Sequence, residues 1–116
     1  MRETIYNDIK YVIGQNAKEN YNILDQAYKI NCDYIWFHLN SFPSCFVIMY
    51  STLYELKPNN INDYLNYGAY LCKQNTKYRN IPNLKICYTL VSNLIKGEKV
   101  GSVHYKSNRK VNTIKI

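Results

Sequence analysis

Short runs that alternate apolar and polar residues open the chain, a pattern typical of β-strands. The runs Thr4–Tyr6 and Lys10–Ile13 flank Asn7 and Asp8, two residues that favour a tight turn. Gly14 ends the second run. The pattern therefore predicts a hairpin or two successive short strands.

The apolar spacing then changes to every third or fourth residue, which indicates an amphipathic helix. Asn16 and Glu19 stand at the spacing of a capping box, in which the first side chain accepts from a free helix N–H. We expect a helix over about Ala17–Tyr28. Its predicted buried face consists of Asn20, Ile23, Leu24, Ala27 and Tyr28.

Two apolar runs follow, Tyr34–Leu39 and Cys45–Tyr50, separated by the turn-forming residues 40–44. This arrangement predicts an antiparallel pair at the centre of a sheet. Because side chains alternate along a strand, Trp36 and His38 should share one face while Phe37 points to the other.

A second helix is predicted after the polar stretch 57–60, where Gly68 and Ala69 would permit close approach to a sheet. Lys73 and Lys77 should lie in its last turn, where cations complement the helix dipole. Its predicted apolar face consists of Ile61, Tyr64, Leu65, Gly68, Ala69, Leu71 and Cys72.

Three further strands are expected. The run Leu84–Leu90 alternates as a strand does, and Val103–Tyr105 and Val111–Ile116 resemble a closing pair around residues 106–110. The 116 residues are too few for two independent cores. The fold class expected is therefore α+β: one domain over residues 1–116, mainly antiparallel, with two main helices packed on one face of the sheet.

The composition, with 47% hydrophobic and 20% charged residues, is that of an ordinary globular domain. No apolar run approaches the length of a membrane span, and no secretory leader is visible, so we expect an intracellular, cytoplasmic protein. The cysteines form no CxxC pair and are interpreted as reduced core residues, with no metal and no cofactor. They are Cys32, Cys45, Cys72 and Cys87.

Charge is distributed unevenly along the chain. Residues 1–72 hold five Lys and Arg against seven acids, whereas residues 73–116 hold ten against one. Such a cationic segment can bind polyanions, which favours nucleic acid, although a merely solvated basic surface has the same composition. We predict that these cations gather into one surface beside His38. The candidate nucleic-acid-binding residues are Lys73, Lys77, Arg79, Lys85, Lys96, Lys99, Lys106, Arg109 and Lys110, interleaved with Tyr78, Tyr88 and Tyr105.

The sequence offers few candidate catalytic residues. The common phosphate-loop, dinucleotide, metalloprotease and hydrolase signatures are absent, so a non-catalytic protein is expected. His38 is the main candidate for acid–base work and would need a carboxylate or another titratable group beside it in an open cleft. Trp36 could stack on a base if its face is exposed, and otherwise belongs to the core.

In order and spacing, several blocks together resemble the NFACT-R domain, with the closest likeness to its small standalone eukaryotic members. The resemblance covers nearly the whole chain. The blocks are Ile13–Asn20, Asp33–His38, Ala69 on the second helix, Tyr88 and Thr89 with Ser92–Leu94 and Lys96, and Gly101.

This resemblance implies an α+β RNA-binding module that is associated with tRNA and the large ribosomal subunit in translation quality control; some standalone relatives are linked to DNA instead. The chain departs from the family at Gln15, where Arg or Lys is usual, and at Phe46, which replaces a second histidine. The positions that match the family, expected around a shared surface, are Gly14, Asn16, Asn20, Trp36, His38, Lys96 and Gly101.

Three functions therefore follow as hypotheses. The first is a nucleic-acid-binding module, most readily for RNA, that uses the C-terminal cations. The second is a structural or adaptor protein that docks on a protein partner through exposed tyrosines and cations. The third is an enzyme acting on nucleic acid with His38 as base. The residues alone leave open the choice between RNA and DNA and the oligomeric state.

Overall fold

The chain begins with a β-hairpin. A computed structural model describes residues 2–40 and 42–116. Strands β1 (Arg2–Tyr6) and β2 (Ile9–Ile13) pair antiparallel. Asn7 and Asp8 between them both have positive φ, 45° and 71°, the backbone that a two-residue hairpin of matching twist requires. The predicted hairpin is therefore confirmed.

Helix α1 (Ala17–Ile30) begins at the predicted cap. The Asn16 side chain accepts a hydrogen bond from the Glu19 amide, at 2.9 Å. The Glu19 carboxylate accepts in turn from the amide of Gln15, one residue earlier than a capping box requires. Of the predicted buried face all but one residue are buried; Tyr28 is 52% exposed, because its position lies at the margin of the apolar stripe.

Strands β3 (Ile35–Leu39) and β4 (Val47–Met49) form the predicted antiparallel pair at the centre of the sheet. Ser41, in the expected turn between them, lies outside the described residues. Both strands are almost wholly buried, in keeping with a sheet that is covered on its two faces.

Helix α2 (Ile61–Gln74) confirms the second helical prediction. Gly68 lies against the ring of Phe37, so the expected close approach to the sheet is present. Lys73 is in the last turn, but Lys77 is not, because the helix ends three residues before it.

The C-terminal part differs from the expected closing pair. Strand β5 (Lys85–Leu90) pairs with β3 and with β8 (Asn112–Lys115), whereas β7 (Val103–Tyr105) pairs with a strand the pattern did not indicate, β6 (Leu94–Lys96). The prediction that β7 pairs with the last strand is therefore wrong. A three-residue strand such as β6 is too short to carry a recognisable alternation.

The six-stranded sheet has the order β1-β2-β4-β3-β5-β8, and all of its described pairings are antiparallel. Phe37 and Met49 pack in the cluster beneath α2, whereas Trp36 and Ile48 pack in the cluster beneath α1. The helices therefore cover opposite faces, and the expectation that both pack on one face is wrong. Continuous apolar runs in the central strands supply a buried side chain to each layer.

All four cysteines are free thiols, and Cys45, Cys72 and Cys87 are buried, as expected of core residues. Within residues 2–40 and 42–116 there is no helix whose length and apolar character would let it cross a membrane. The architecture confirms the α+β fold class, with a mainly antiparallel sheet and two main helices packed on it.

Candidate nucleic-acid interface

A cleft of about 620 Å³ opens at the end of the sheet where β3 turns into β4. We call it the His38 cleft. Four segments meet there: the start of α1, the β3–β4 turn, the segment after α2 and the β6–β7 turn. Its lining residues are Gln15, Asn16, Ala17, Asn20, His38, Pro43, Ser44, Cys45, Asn75, Thr76, Lys77, Lys99, Val100, Gly101 and Ser102.

The start of α1 is held against the sheet by Asn20. Its side-chain oxygen accepts from the amide of Phe46 at 3.0 Å, and Gly14 donates its own amide to the Phe46 carbonyl at 3.0 Å. A Cβ on Gly14 would lie 2.3 Å from the Asn20 oxygen and 3.0 Å from its main-chain nitrogen. A glycine at position 14 is therefore needed for this close approach.

The β6–β7 turn places Lys99 beside the start of α1. The carbonyl of Lys99 accepts hydrogen bonds from the Tyr21 hydroxyl at 3.0 Å and from the amide and hydroxyl of Ser102 at 3.0 and 2.6 Å. Gly101 has a φ of 91°, and a Cβ there would lie 2.8 Å from the Cβ of Ala17. The position of the Lys99 backbone is thus set by α1.

The segment after α2 supplies the other side of the cleft. Asn75 donates through its amide nitrogen to the carbonyl of Leu71, and Thr76 is buried. Lys77 follows them, exposed, with its ammonium 5.4 Å from the ring centre of Tyr78.

Arg2 reaches the rim of the cleft from β1. Its guanidinium donates to the side-chain oxygen of Asn75, and Nε lies 2.6 Å from the Gln15 side-chain oxygen when that amide is oriented to accept. The charge pattern of the sequence predicted no cation of the first half near this site. No sequence motif surrounds this arginine, and it lies at the cleft only because β1 pairs with β2.

The His38 ring closes the cleft from β3. It is stacked on Trp36, with centroids 5.4 Å apart and planes inclined by 8°, and meets Phe46 edge-on at 5.5 Å. Burial lowers the pKa of His38, and a hydrogen bond with the backbone of Leu39 offsets this only in part. The imidazole is therefore uncharged at neutral pH, and the cleft takes its positive charge from lysine and arginine.

The lowered pKa of His38 predicts a pH-dependent stability. The unfolded chain binds the proton more tightly than the folded one, so the free energy of unfolding should fall as the pH drops below about 6.5, the ordinary histidine value. The loss should level off below the folded-state pKa. Urea unfolding of wild type and His38→Gln across this range measures it.

In His38→Gln, the free energy of unfolding should depend less steeply on pH than in wild type, because the buried titrating group is gone. The same change at the exposed His104 tests whether the effect belongs to His38. A slope that is equal in wild type and His38→Gln would contradict the burial argument.

Only two of the nine candidate cations, Lys77 and Lys99, line the His38 cleft. Lys96, which also matches the family, is paired with Asp25 at 2.6 Å on the outer side of α1. Lys73 donates to the main-chain oxygen of Ile116, and Lys85 borders a separate groove of about 280 Å³. The remaining four are exposed on connecting segments: Arg79, Lys106, Arg109 and Lys110.

The interleaved tyrosines are half-buried against other rings. Tyr105 meets Trp36 edge-on at 6.0 Å, and Tyr88 lies 5.9 Å from Phe37. Tyr78 stacks on Phe42 at 4.3 Å. The Tyr88 and Tyr105 rings are therefore core elements and not open stacking platforms.

The family-matched positions group more closely than the cations do. Asn16, Asn20, His38 and Gly101 line the cleft, and Gly14 packs directly behind Asn20. Trp36 is fully buried and is therefore a core residue, not a ring on which a base could stack. Tyr21 and Ser102, which position Lys99, were missed because neither carries a sequence signal of its own.

None of the residues described as lining the cleft is a carboxylate, so His38 faces no acid there. In the described part of the chain, no group of three or more His, Cys, Asp and Glu side chains could hold a metal ion. The arrangement consists of hydrogen-bond donors and cations, which is chemistry suited to holding an anion.

No protein-family model matches the sequence, and no curated protein matches it. Among solved structures, the C-terminal part of the fibronectin/fibrinogen-binding protein from Streptococcus suis matches with a TM-score of 0.79 and 20% identity. The match covers 98% of this chain and 43% of that one, so the chain spans less than half of that structure's length. At this identity the likeness shows the α+β fold alone.

Proposed function

We propose that this protein is a non-catalytic nucleic-acid-binding module, that its ligand is RNA, and that the His38 cleft receives phosphate groups. One observation carries the proposal. Lys77 and Lys99, from separate segments, meet in a concave site whose described lining includes no acid. Phosphates favour such sites because they release counterions and gain charge-assisted hydrogen bonds.

The resemblance to the NFACT-R domain supports the same site. Four of its matched positions line the cleft. Where the family usually carries a cation this chain has Gln15, and the Arg2 guanidinium lies against that side chain. On this basis Arg2 supplies the charge that Gln15 lacks. The resemblance favours tRNA or ribosome-associated RNA, and an intracellular setting in which the four free thiols stay reduced.

Neutralising the two cleft lysines should weaken RNA binding. In Lys77→Gln/Lys99→Gln, the loss of two phosphate contacts should reduce affinity roughly 10- to 30-fold at about 0.1 M salt and lower the log–log salt slope by about 1.4–1.8. Fluorescence anisotropy with a short single-stranded RNA of mixed sequence, and with bulk tRNA, over a salt series measures both quantities.

The matched control is Lys29→Gln/Lys57→Gln, which removes the same charge at exposed positions outside the cleft. It should keep the wild-type slope. Equal weakening in both double variants would mean that only net charge matters, and wild type that does not bind either RNA would refute the proposed function.

Docking on a protein is the second candidate. Large side chains are exposed away from the cleft, with Tyr54 94% and Ile5 70% accessible, and the structural neighbour is named as a fibronectin/fibrinogen-binding protein. Nucleic acid that copurifies with the protein, seen as a raised 260/280 absorbance ratio that RNase or high salt removes, would favour RNA binding over this candidate.

A further inference from the structure

The floor of the His38 cleft contains a buried amide with a determined orientation. Asn20 is only 5% exposed, although it lines the cleft. Its side-chain oxygen accepts from the Phe46 amide, a group that can only donate. The other end of the amide, the Nδ2 group, must therefore be the end directed away from the Phe46 amide.

The Asn20 Nδ2 group makes no hydrogen bond to any residue in the described ranges, and it is not sealed inside the protein. Buried polar groups in folded proteins are nearly always paired. A donor that is left over at the bottom of an open cleft is a donor available to a ligand. This observation is independent of the surface lysines.

The surroundings of Asn20 favour a negatively charged ligand. Ala17, in the first turn of α1, also lines the cleft, and the positive end of a helix dipole lies there. Lys99 approaches from the layer of α1, and Lys77 follows α2 on the opposite face of the sheet. Donors thus stand at the floor and on two sides.

This placement favours a phosphate that enters end-on. A diester within a strand carries a sugar on both sides, whereas a monoester presents three free oxygens and one substituent. A cleft of about 620 Å³ is also within the range of small-molecule sites, roughly 300–1,000 Å³. A nucleotide could therefore follow its phosphate into the opening.

We propose that the His38 cleft holds a phosphate monoester, with Asn20 Nδ2 donating to one phosphate oxygen and Lys99 neutralising its charge. This inference rests on the proposed function and specifies its ligand as the terminal phosphate of an RNA strand or of a free nucleotide. The floor of the cleft at Asn20 then distinguishes a phosphorylated end from an internal phosphate, because only a monoester reaches it without a sugar on each side.

The sharpest test is Asn20→Asp. The substitution keeps the shape of the side chain and the acceptor for the Phe46 amide, but replaces the donor with a negatively charged oxygen. Affinity for adenosine monophosphate and for RNA with a 5′-phosphate should fall at least tenfold. Asn22→Asp, an exposed position on the same helix, introduces the same charge outside the cleft and should change affinity little.

A second measurement uses the unaltered protein and does not depend on the variant folding. Side-chain amide resonances of Asn20 should shift in heteronuclear NMR when inorganic phosphate is added, and shift at lower concentration with adenosine monophosphate. RNA of one sequence with a 5′-phosphate or a 5′-hydroxyl then separates the two sources. Tighter binding of the phosphorylated strand identifies a strand end, and a response to the mononucleotide alone identifies a free nucleotide.

The results separate the two proposals. Unshifted Asn20 resonances with both phosphate and mononucleotide, together with equal affinity for the two RNA ends, would overturn the monoester site even if RNA binding still depends on Lys77 and Lys99. Resonances that shift with adenosine monophosphate in a protein that binds no RNA would keep the site and refute the proposed function.

Discussion

Replacing Trp36 with alanine should lower the free energy of unfolding by about 3–5 kcal/mol, the usual cost of removing a large buried aromatic side chain. The indole is fully buried and packs against His38, Phe46 and Tyr105 in the layer beneath α1. These rings cannot all collapse into the space, because β3 and β7 hold the backbones of His38 and Tyr105, and hydrogen bonds to Gly14 and Asn20 hold that of Phe46. Urea or thermal unfolding measures the effect.

Trp36→Phe, compared with Trp36→Ala, separates the loss of packing from the loss of the indole N–H. Within the described ranges the buried indole Nε1 has no hydrogen-bond partner, so phenylalanine removes an unsatisfied donor while leaving a smaller cavity than alanine does. The two effects oppose each other, and the loss should be clearly smaller than for alanine. RNA affinity should stay close to wild type because Trp36 does not line the His38 cleft. A stable Trp36→Phe protein that loses RNA binding would instead assign a direct ligand contact to the indole.

Gly68→Ala should destabilise the protein by about 2 kcal/mol, although alanine is the better helix former by about 1 kcal/mol. A Cβ at this position would lie 2.3, 2.5 and 2.7 Å from three ring atoms of Phe37. The Phe37 ring is fully buried and has little room to withdraw. Overpacking a filled core typically costs about 1–3 kcal/mol and here should exceed the helical gain. Denaturant unfolding gives the sign directly.

The double variant Gly68→Ala/Phe37→Leu tests the cause. Leucine removes the ring atoms that the new methyl group would meet, so the two substitutions should cost less together than the sum of their separate effects. Ala69→Gly, the reverse change at the next position of the helix, is the control. It should destabilise the protein through lower helix propensity and a small cavity, and Phe37→Leu should not reduce that cost. Additive costs for Gly68→Ala and Phe37→Leu would contradict the steric explanation.

Variants of the core and variants of the His38 cleft should change different measured properties. Trp36 and Gly68 variants test how the two helix layers are built, and their effects appear in unfolding. The variants of Lys77, Lys99 and Asn20 alter groups that face the opening, so their effects should appear in binding. A folded protein with altered binding is therefore the expected outcome only for the second set.

Local pattern was sufficient for most elements of the fold. The Asn7 and Asp8 turn, the Asn16 cap and the three-and-four spacing of α2 each depend on residues that are close in sequence. Such features are set by backbone stereochemistry and short-range hydrogen bonds, which a sequence displays directly. The alternation of Trp36 and Phe37 across β3 follows from the same kind of geometry.

The pairing of strands that are distant in sequence was harder to predict from the sequence pattern. The pattern predicted the wrong partner for β7, because β6 has three residues and no alternation of its own. It also placed both helices on one face. Central strands that are apolar throughout supply both layers equally, so the pattern in β3 and β4 does not say which helix covers which side.

The sequence by itself determined the α+β class, the two helices, the hairpin and a C-terminal surplus of cations, because these depend on neighbouring residues or on composition. Only the tertiary structure decided that Lys77 and Lys99 share a cleft, that Lys96 is paired with Asp25, and that Arg2 lies at the rim. These contacts join segments far apart in the chain. Their geometry follows from strand order and helix packing, which depend on all long-range contacts together.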